Sequence, residues 1–318
     1  MRVVDDIQEL VGHTPMLRVR RLFPDTRAHI FAKLELFNPM SVKDRPVRHI
    51  IDSAIASGRL QPGAELVEAS SGNTAIALAM VGAAKGFPVR IFMSELCSVE
   101  RLQILNAFGA VVVLTPGVEH TKGSRARAIA YCDERPGRAF FVNQHSNPCN
   151  GDAHEATTGP EIWEQTEGKL DIMVIGLGTS GTFEGLSRYF KGKNPDIQIV
   201  AFEPATSPVY SGGAMGKHQL IGIGPGFVTE NFQRGSERVD EIMLVSDEDA
   251  FNMTRRLAIA EGVFAGVTSG AALWVANQLA ERPENAGKTI CCIICDSGER
   301  YMSVAGLFPA DRVERMDC

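Results

Sequence analysis

The chain has 318 residues, 44% hydrophobic and 22% charged, and its 32 basic against 38 acidic residues give a formal charge of −6. Without any run of Lys or Arg, that balance excludes a nucleic-acid binder, which needs a concentrated basic surface. The longest apolar runs, such as 76–84, end far short of the ~20 residues of a membrane span, and the length suggests two lobes of ~100–200 residues each. In chain order, Met1-Arg2-Val3-Val4-Asp5-Asp6 turns acidic where a signal peptide turns apolar, so a cytoplasmic protein is expected. Val47, Ile50, Ile51, Ala54 and Ile55 recur at helical spacing and predict an amphipathic helix closed by Gly58. Residues 65–68 read as a strand, followed by a Ser/Gly loop at 70–74 and a helix over 75–85 that is apolar on nearly every face and therefore buried. Further strands are expected at 89–93, 110–114, 140–143, 172–175, 197–202 and 289–295, with a helix over 98–108 between Ser98 as N-cap and Gly109. Strands alternating with helices mark an α/β fold. Asn147-Pro148 and Asn150-Gly151 form the strongest turn cluster near mid-chain and set the lobe boundary there.

The cysteines and histidines point to no metal. Seven cysteines lack the regular spacing of a disulfide framework, and the seven histidines include no H-E-x-x-H. Cys292 and Cys295 match C-x-x-C but lie in the apolar run 289–295. Residues three apart on a strand face opposite sides, so both read as core.

Four loops could carry chemistry. The strand at 172–175 runs into Gly176-Leu177-Gly178-Thr179-Ser180-Gly181-Thr182 before a helix that begins near Phe183, a turn that presents backbone N–H groups and a helix dipole to a phosphate. Its G-x-G-x-x-G spelling, with Glu203 about twenty residues on, fits a dinucleotide site and hence an NAD-dependent dehydrogenase. Its hydroxyls at Thr179, Ser180 and Thr182 suit a terminal phosphate dianion instead; a tight turn without ligand is the third reading. Ser70-Ser71-Gly72-Asn73-Thr74 crowds short polar side chains at a helix start and suits a carboxylate, or merely caps the helix. Lys43, in a polar turn before the amphipathic helix, would meet a dipole that favours its neutral amine. Asp296-Ser297-Gly298-Glu299-Arg300 follows the last strand, where α/β folds place ligands.

Together, in this order, these segments resemble the cysteine synthase and cystathionine β-synthase family of fold-type-II pyridoxal-phosphate (PLP) enzymes, which includes O-acetylserine sulfhydrylase. The resemblance runs from Gly12-His13-Thr14-Pro15 through Ser41-Val42-Lys43-Asp44-Arg45, Ser71-Gly72-Asn73-Thr74, Gly178 to Thr182 and Gly222-Ile223-Gly224 to Ser297-Gly298-Glu299-Arg300-Tyr301, nearly the whole chain. It implies an α/β, tryptophan synthase β-like fold of two lobes, each with a mainly parallel twisted sheet flanked by helices. Residues 38–148 would form a smaller mobile lobe carrying Lys43 and the carboxylate loop; 1–37 plus 149–318 would form a larger lobe binding the cofactor phosphate.

The resemblance also assigns roles. Lys43 would form the Schiff base with PLP; Gly178, Thr179, Ser180, Gly181 and Thr182 would cradle its phosphate; Asn73 would bond the ring hydroxyl and Ser297 would face the ring nitrogen. Ser70, Ser71, Gly72, Asn73, Thr74, Gln144 and Gly222 would hold the substrate. The implied reaction is ping-pong β-replacement on O-acetylserine or O-phosphoserine through an aminoacrylate, with sulfide or another nucleophile giving cysteine or a related β-substituted alanine. Alternatives are an amino-acid nucleophile, giving an amino-carboxyethyl-glutamate precursor of 2,3-diaminopropionate, cystathionine β-synthase-like activity, and a catalytically silent paralogue. A homodimer and a serine acetyltransferase partner are further implications. The chain departs from the family at four places: a turn one residue short before Lys43, Ser70 and Ala75 at the ends of the carboxylate loop, Ile221 before Gly222, and Asp296 before Ser297. The Lys43-Asp44-Arg45-Pro46 spelling leans toward the O-phosphoserine users, for which Arg125, Lys122 or Lys217 would supply a cation.

Overall fold

Apolar runs bounded by turn residues become strands in two separate sheets. The computed structural model describes residues 3–310; Met1 and Arg2 of the acidic N-terminus, and residues 311–318 at the end of the expected larger lobe, lie outside the described residues. In chain order the elements are β1 (Met16–Val19), β2 (His29–Lys33), α1 (Asp44–Ala56), β3 (Glu65–Ala69), α2 (Asn73–Lys85), β4 (Val89–Ser94), α3 (Val99–Ala107), β5 (Val111–Thr115), α4 (His120–Asp133) and β6 (Ala139–Phe141). There follow α5 (Cys149–Ala153), α6 (Gly159–Gln165), β7 (Ile172–Gly176), α7 (Gly181–Lys193), β8 (Gln198–Pro204), α8 (Glu230–Gln233), β9 (Glu241–Val245), α9 (Asp247–Glu261), α10 (Val267–Ala280) and β10 (Thr289–Ile293).

Strands β3 to β6 form a wholly parallel sheet in the order β5-β4-β3-β6. The larger sheet runs β1-β2-β10-β7-β8-β9 and is parallel except for β1. Alternate residues of its strands feed opposite cores. Val174, Phe202 and Cys292 pack with α9 and α10, while Ile175, Ala201 and Cys291 pack with Phe183, Leu186 and Phe190 of α7. Cys295 joins the second of these layers, so Cys292 and Cys295 lie on opposite sides as their spacing predicts. In the smaller sheet Leu66 and Ile91 pack against α1 and α2, and α2 is buried on all sides from Thr74 to Gly82. No helix among the described residues is long and apolar enough to cross a membrane.

Each sheet reverses its strand order once, and loops gather at that reversal. In the smaller sheet it falls between β3 and β6, and in the larger between β7 and β10. Such switch points open a crevice at the carboxyl ends of the strands. The loops after β3 and β6 carry Ser70 to Thr74 and Gln144; those after β7 and β10 carry Gly178 to Thr182 and Cys295 to Ser297.

Several boundaries differ from the sequence pattern for local reasons. The strand expected at 140–143 ends at Phe141, because Asn143 turns left-handed at φ 56°. Asn150-Gly151, expected in a turn, lies in α5; Pro148 stands just before the first turn, where its missing N–H costs nothing. Helix α1 begins at Asp44 rather than Val47, with Pro46 tolerated in the first turn. The short strands β1, β2 and β9 are additional. Residues at the sheet's two edges, β1 and β9, are mostly only half-buried, which blurs their apolar signal.

Candidate active site

Lys43 sits at the N-cap of α1, and the turn before it is shaped by Asp44. The Asp44 Oδ2 accepts the N–H of Met40 at 2.7 Å and of Ser41 at 3.3 Å, which closes the shortened turn. Burial pushes the Asp44 carboxyl up to about 7 although those bonds oppose it. Burial also lowers the Lys43 amine, against the pull of Cys295, Asp296 and Glu35. The amine has no hydrogen-bond or ion-pair partner among the described residues, so it combines a bias to the neutral form with a free lone pair.

Below this turn lies a buried ion network. Arg45 pairs with Glu35 and Glu161, each at 2.7 Å, and Lys33 pairs with Glu161 at 2.7 Å. Burial alone would raise Glu161, but hydrogen bonds and charge from Arg45, with Lys33, hold it down to about 2. Arg45 is thereby consumed in fixing α1 and is not a cation of the cleft.

The loop after β7 faces Lys43. The backbone N–H groups from Gly178 through Thr182 have no acceptor within the described residues. A Cβ on Gly178 would stand 2.5 Å from the Gly222 carbonyl, and one on Gly181 would strike Asn150, so both must be glycine. Ser180 takes the left-handed conformation at φ 61°, and its hydroxyl donates to Tyr210, whose own hydroxyl donates to the Gly178 carbonyl at 2.8 Å. Thr182 contacts the His154 Nε2 at 3.2 Å, in a π-helical segment His154–Thr158. Bare N–H groups, two obligatory glycines and three hydroxyls at a helix start fit the phosphate of PLP. Glu203, the acid a dinucleotide site would use, is fully buried and accepts from Tyr210 N, Ser211 N and Ser211 Oγ at 2.6–2.8 Å. Its oxygens are taken, and the NAD reading falls with them.

Opposite stands the loop after β3. Ser70, Ser71, Gly72, Asn73 and Thr74 line one compartment together with Gln144, Gly222 and Lys43. The Thr74 hydroxyl donates to Gln144 Oε1, and the Gln144 N–H donates to Glu68 at 2.9 Å. Burial raises Glu68 to about 7. Asn73 is gripped at both ends of its amide: Nδ2 donates to Asp296 at 2.6 Å, and Oδ1 accepts from Arg300 at 2.7 Å. Arg300 also reaches the Met40 carbonyl, Tyr301 donates to Asp296, and Arg101 bonds the Ser71 carbonyl at 3.1 Å while lying over the Tyr301 ring. The atypical Asp296 thus ties the carboxylate loop to the segment after β10.

Two expectations are not met by this geometry. The Ser297 hydroxyl donates to Glu299 and does not line the cleft; Thr268, in the first turn of α10, lines it with Lys43 and Cys295. Thr268 had no signal beyond a Thr-Ser-Gly helix start. Of the three cations held ready for a donor phosphate, Arg125 is bonded to Asn143 and Ser146, and neither Lys122 nor Lys217 lines the cleft. Cys295 does line it, but burial pushes its thiol up to about 12, so it stays protonated and inert. Three metal-capable side chains, His49, Cys149 and Asp152, gather within 4.8 Å between α1 and α5, away from the cleft. Asp152 is already paired with Arg188 at 2.6 Å.

Comparison with known proteins shows the family of the chain. The chain matches the family model described as pyridoxal-phosphate dependent enzyme over residues 7–296. It is similar to a cysteine synthase of Staphylococcus aureus, with 43% identity over 302 residues covering 94% of this chain and 96% of that protein. Among solved structures it is similar to a cysteine synthase of Entamoeba histolytica, at TM-score 0.92 and 41% identity over 100% of this chain and 93% of that one. It is also similar to an O-ureido-L-serine synthase, at TM-score 0.93 and 35% identity over 98% of each chain.

Proposed function

The chain belongs to the pyridoxal-phosphate dependent enzyme family, and we propose that its cleft replaces the β-substituent of O-acetyl-L-serine to make cysteine or a related β-substituted alanine. It is an enzyme of the β-replacement kind with PLP as cofactor. The observation that carries the choice of donor is the cation census. Among the described residues, Lys43 is the only Lys or Arg lining the two compartments of the cleft, which suits a neutral acyl leaving group better than a phosphate.

In this reading Gly178 to Thr182 hold the cofactor phosphate through their free N–H groups, Asn73 meets the ring hydroxyl, and Thr268 takes the place beside the ring nitrogen. A neutral hydroxyl there leaves that nitrogen unprotonated. Bound in this way, PLP supplies a moderate electron sink for charge developing at the substrate Cα. The substrate carboxylate seats on Ser70, Ser71, Gly72, Asn73 and Thr74 at the head of α2, with Gln144 fixed by Thr74 and Gly222 across from it. Lys43 Nζ takes the proton from Cα and later returns one there. The smaller lobe, residues 38–148, closes over the substrate and excludes water, with the Asn73, Asp296 and Arg300 contacts as the latch between lobes.

Further readings rest on the family resemblance: a homodimer and a serine acetyltransferase partner, both checked by sizing the purified protein alone and with the acetyltransferase. The six cysteines of the described residues are all free, which supports a reducing compartment such as the cytoplasm. The reaction is tested by spectral titration of the holoenzyme. O-acetylserine is expected to change the cofactor spectrum at lower concentration than O-phosphoserine does; a response to O-phosphoserine alone overturns the choice of donor.

A further inference from the structure

The cleft holds one buried ring that the reaction so far leaves without a task. His145 follows Gln144 in the loop after β6 and is 5% exposed. The left-handed Asn143 aims this loop, held by Arg125 at 3.0 Å, and the His145 carbonyl accepts the Asn231 N–H at 3.3 Å. The ring packs on Phe227 with centroids 5.2 Å apart. Neither ring nitrogen has a hydrogen-bond partner among the described residues. The neighbouring histidines each have at least one. His154 uses both nitrogens, on Thr158 at 2.9 Å and Thr182 at 3.2 Å, while His218 in the same cleft bonds the Gly224 carbonyl at 3.1 Å. The free ring lines the compartment shared by Lys43, Thr74 and Gln144. Burial, followed by the charges of Arg125 and Lys43, holds it down to about 4, so it is a neutral acceptor.

We propose that His145 accepts the hydrogen of the incoming nucleophile, and that the nucleophile is a neutral compound bearing O–H or N–H. This rests on the β-replacement reading above. Hydrosulfide arrives as an anion and needs no acceptor, whereas a neutral nucleophile must shed a proton as it bonds. As its heteroatom bonds to the substrate Cβ, its O–H or N–H bond breaks and the proton passes to the free ring nitrogen. The substrate Cα–Cβ double bond left by the departed group becomes single, its electron pair taking a proton from Lys43 Nζ at Cα, and the His145 proton then passes to solvent. The leaving group has already departed with its electron pair, so nothing is oxidised or reduced. The substrate carboxylate beside Gln144 brings a negative charge near the ring and raises its proton affinity at that stage.

The test uses the holoenzyme with O-acetylserine and three probes: hydrosulfide, hydroxyurea and pyrazole. His145→Phe keeps the ring packing on Phe227. It is expected to lower turnover of hydroxyurea or pyrazole about 100-fold more than turnover of hydrosulfide. His145→Gln, which can accept a hydrogen bond but not a proton, is expected to recover KM for those probes and not kcat. Nitrogen NMR of isotope-labelled wild type is expected to show a His145 ring shift with hydroxyurea that hydrosulfide does not produce. Equal losses for all probes, or a wild type that uses hydrosulfide but neither neutral probe, overturns the proposal. A wild type that releases no acetate from O-acetylserine instead sinks the β-replacement reading beneath it.

Discussion

Two hydroxyls at residue scale compete for one role, and geometry separates them. Thr268 lines the cleft beside Lys43 and Cys295, while Ser297 turns its hydroxyl to Glu299. Thr268→Val is therefore expected to shift the visible spectrum of the bound cofactor and lower kcat by about tenfold or more, a loss of ~1.4 kcal/mol in the barrier, whereas Ser297→Ala leaves the spectrum in place. Absorbance of the two purified holoenzymes decides it, and the reverse pattern would restore Ser297. A second residue-scale consequence concerns Glu68, buried beneath Gln144 and raised from its ordinary 4.5 to about 7. A folded-state carboxyl raised in this way contributes stability that is complete below about 4.5 and is lost as the pH climbs through about 7. Relative to Glu68→Gln, the wild type is thus expected to lose at most ~3 kcal/mol across that window. Denaturant unfolding at several pH values measures it; parallel profiles for the two proteins would contradict the buried, protonatable carboxyl. Asp44, raised into the same window, contributes to both proteins and cancels.

At the scale of elements, the start of α1 is held by charge rather than by an apolar contact. Arg45 answers two carboxylates, Glu35 and Glu161, with side chains of 2%, 0% and 14% exposure. Arg45→Met is expected to leave both acids short of a partner and to cost about 3–5 kcal/mol, read as a fall in unfolding midpoint. A change below ~1 kcal/mol would mean the network is solvated. This network shows what sequence could not convey. Lys43-Asp44-Arg45-Pro46 was legible as a special turn, but the structural task of Arg45 was not, because its partners lie ten and 116 residues away. Glu203 misled for the same reason: its spacing from the glycine loop suits a ribose, yet Tyr210 and Ser211 occupy its oxygens. The helices and central strands were readable because period and burial coincide in them. Thr268 and His145 were not, since a hydroxyl at a helix start and a lone histidine in a turn look alike wherever they fall.

For the molecule as a whole, function follows from two mainly parallel sheets whose switch points share one cleft. The smaller brings Ser70 to Thr74 and Gln144 together; the larger brings Gly178 to Thr182 and the segment after β10. Glycine placement made the loop after β7 visible in the chain, because only glycine permits position 178 to approach the Gly222 carbonyl. What composition could not reveal is the latch from Asp296 and Arg300 to Asn73, which joins residues more than 220 apart. In the reading proposed above, this cleft, through Lys43, removes the β-substituent of an activated serine before a nucleophile enters. The most direct measurement is acetate release from O-acetylserine by holoenzyme with no nucleophile present. Acetate release is expected as a burst of one per active site that then stops, resumes on adding nucleophile, and is absent in Lys43→Ala. No burst in the wild type, or an equal burst in Lys43→Ala, would contradict it.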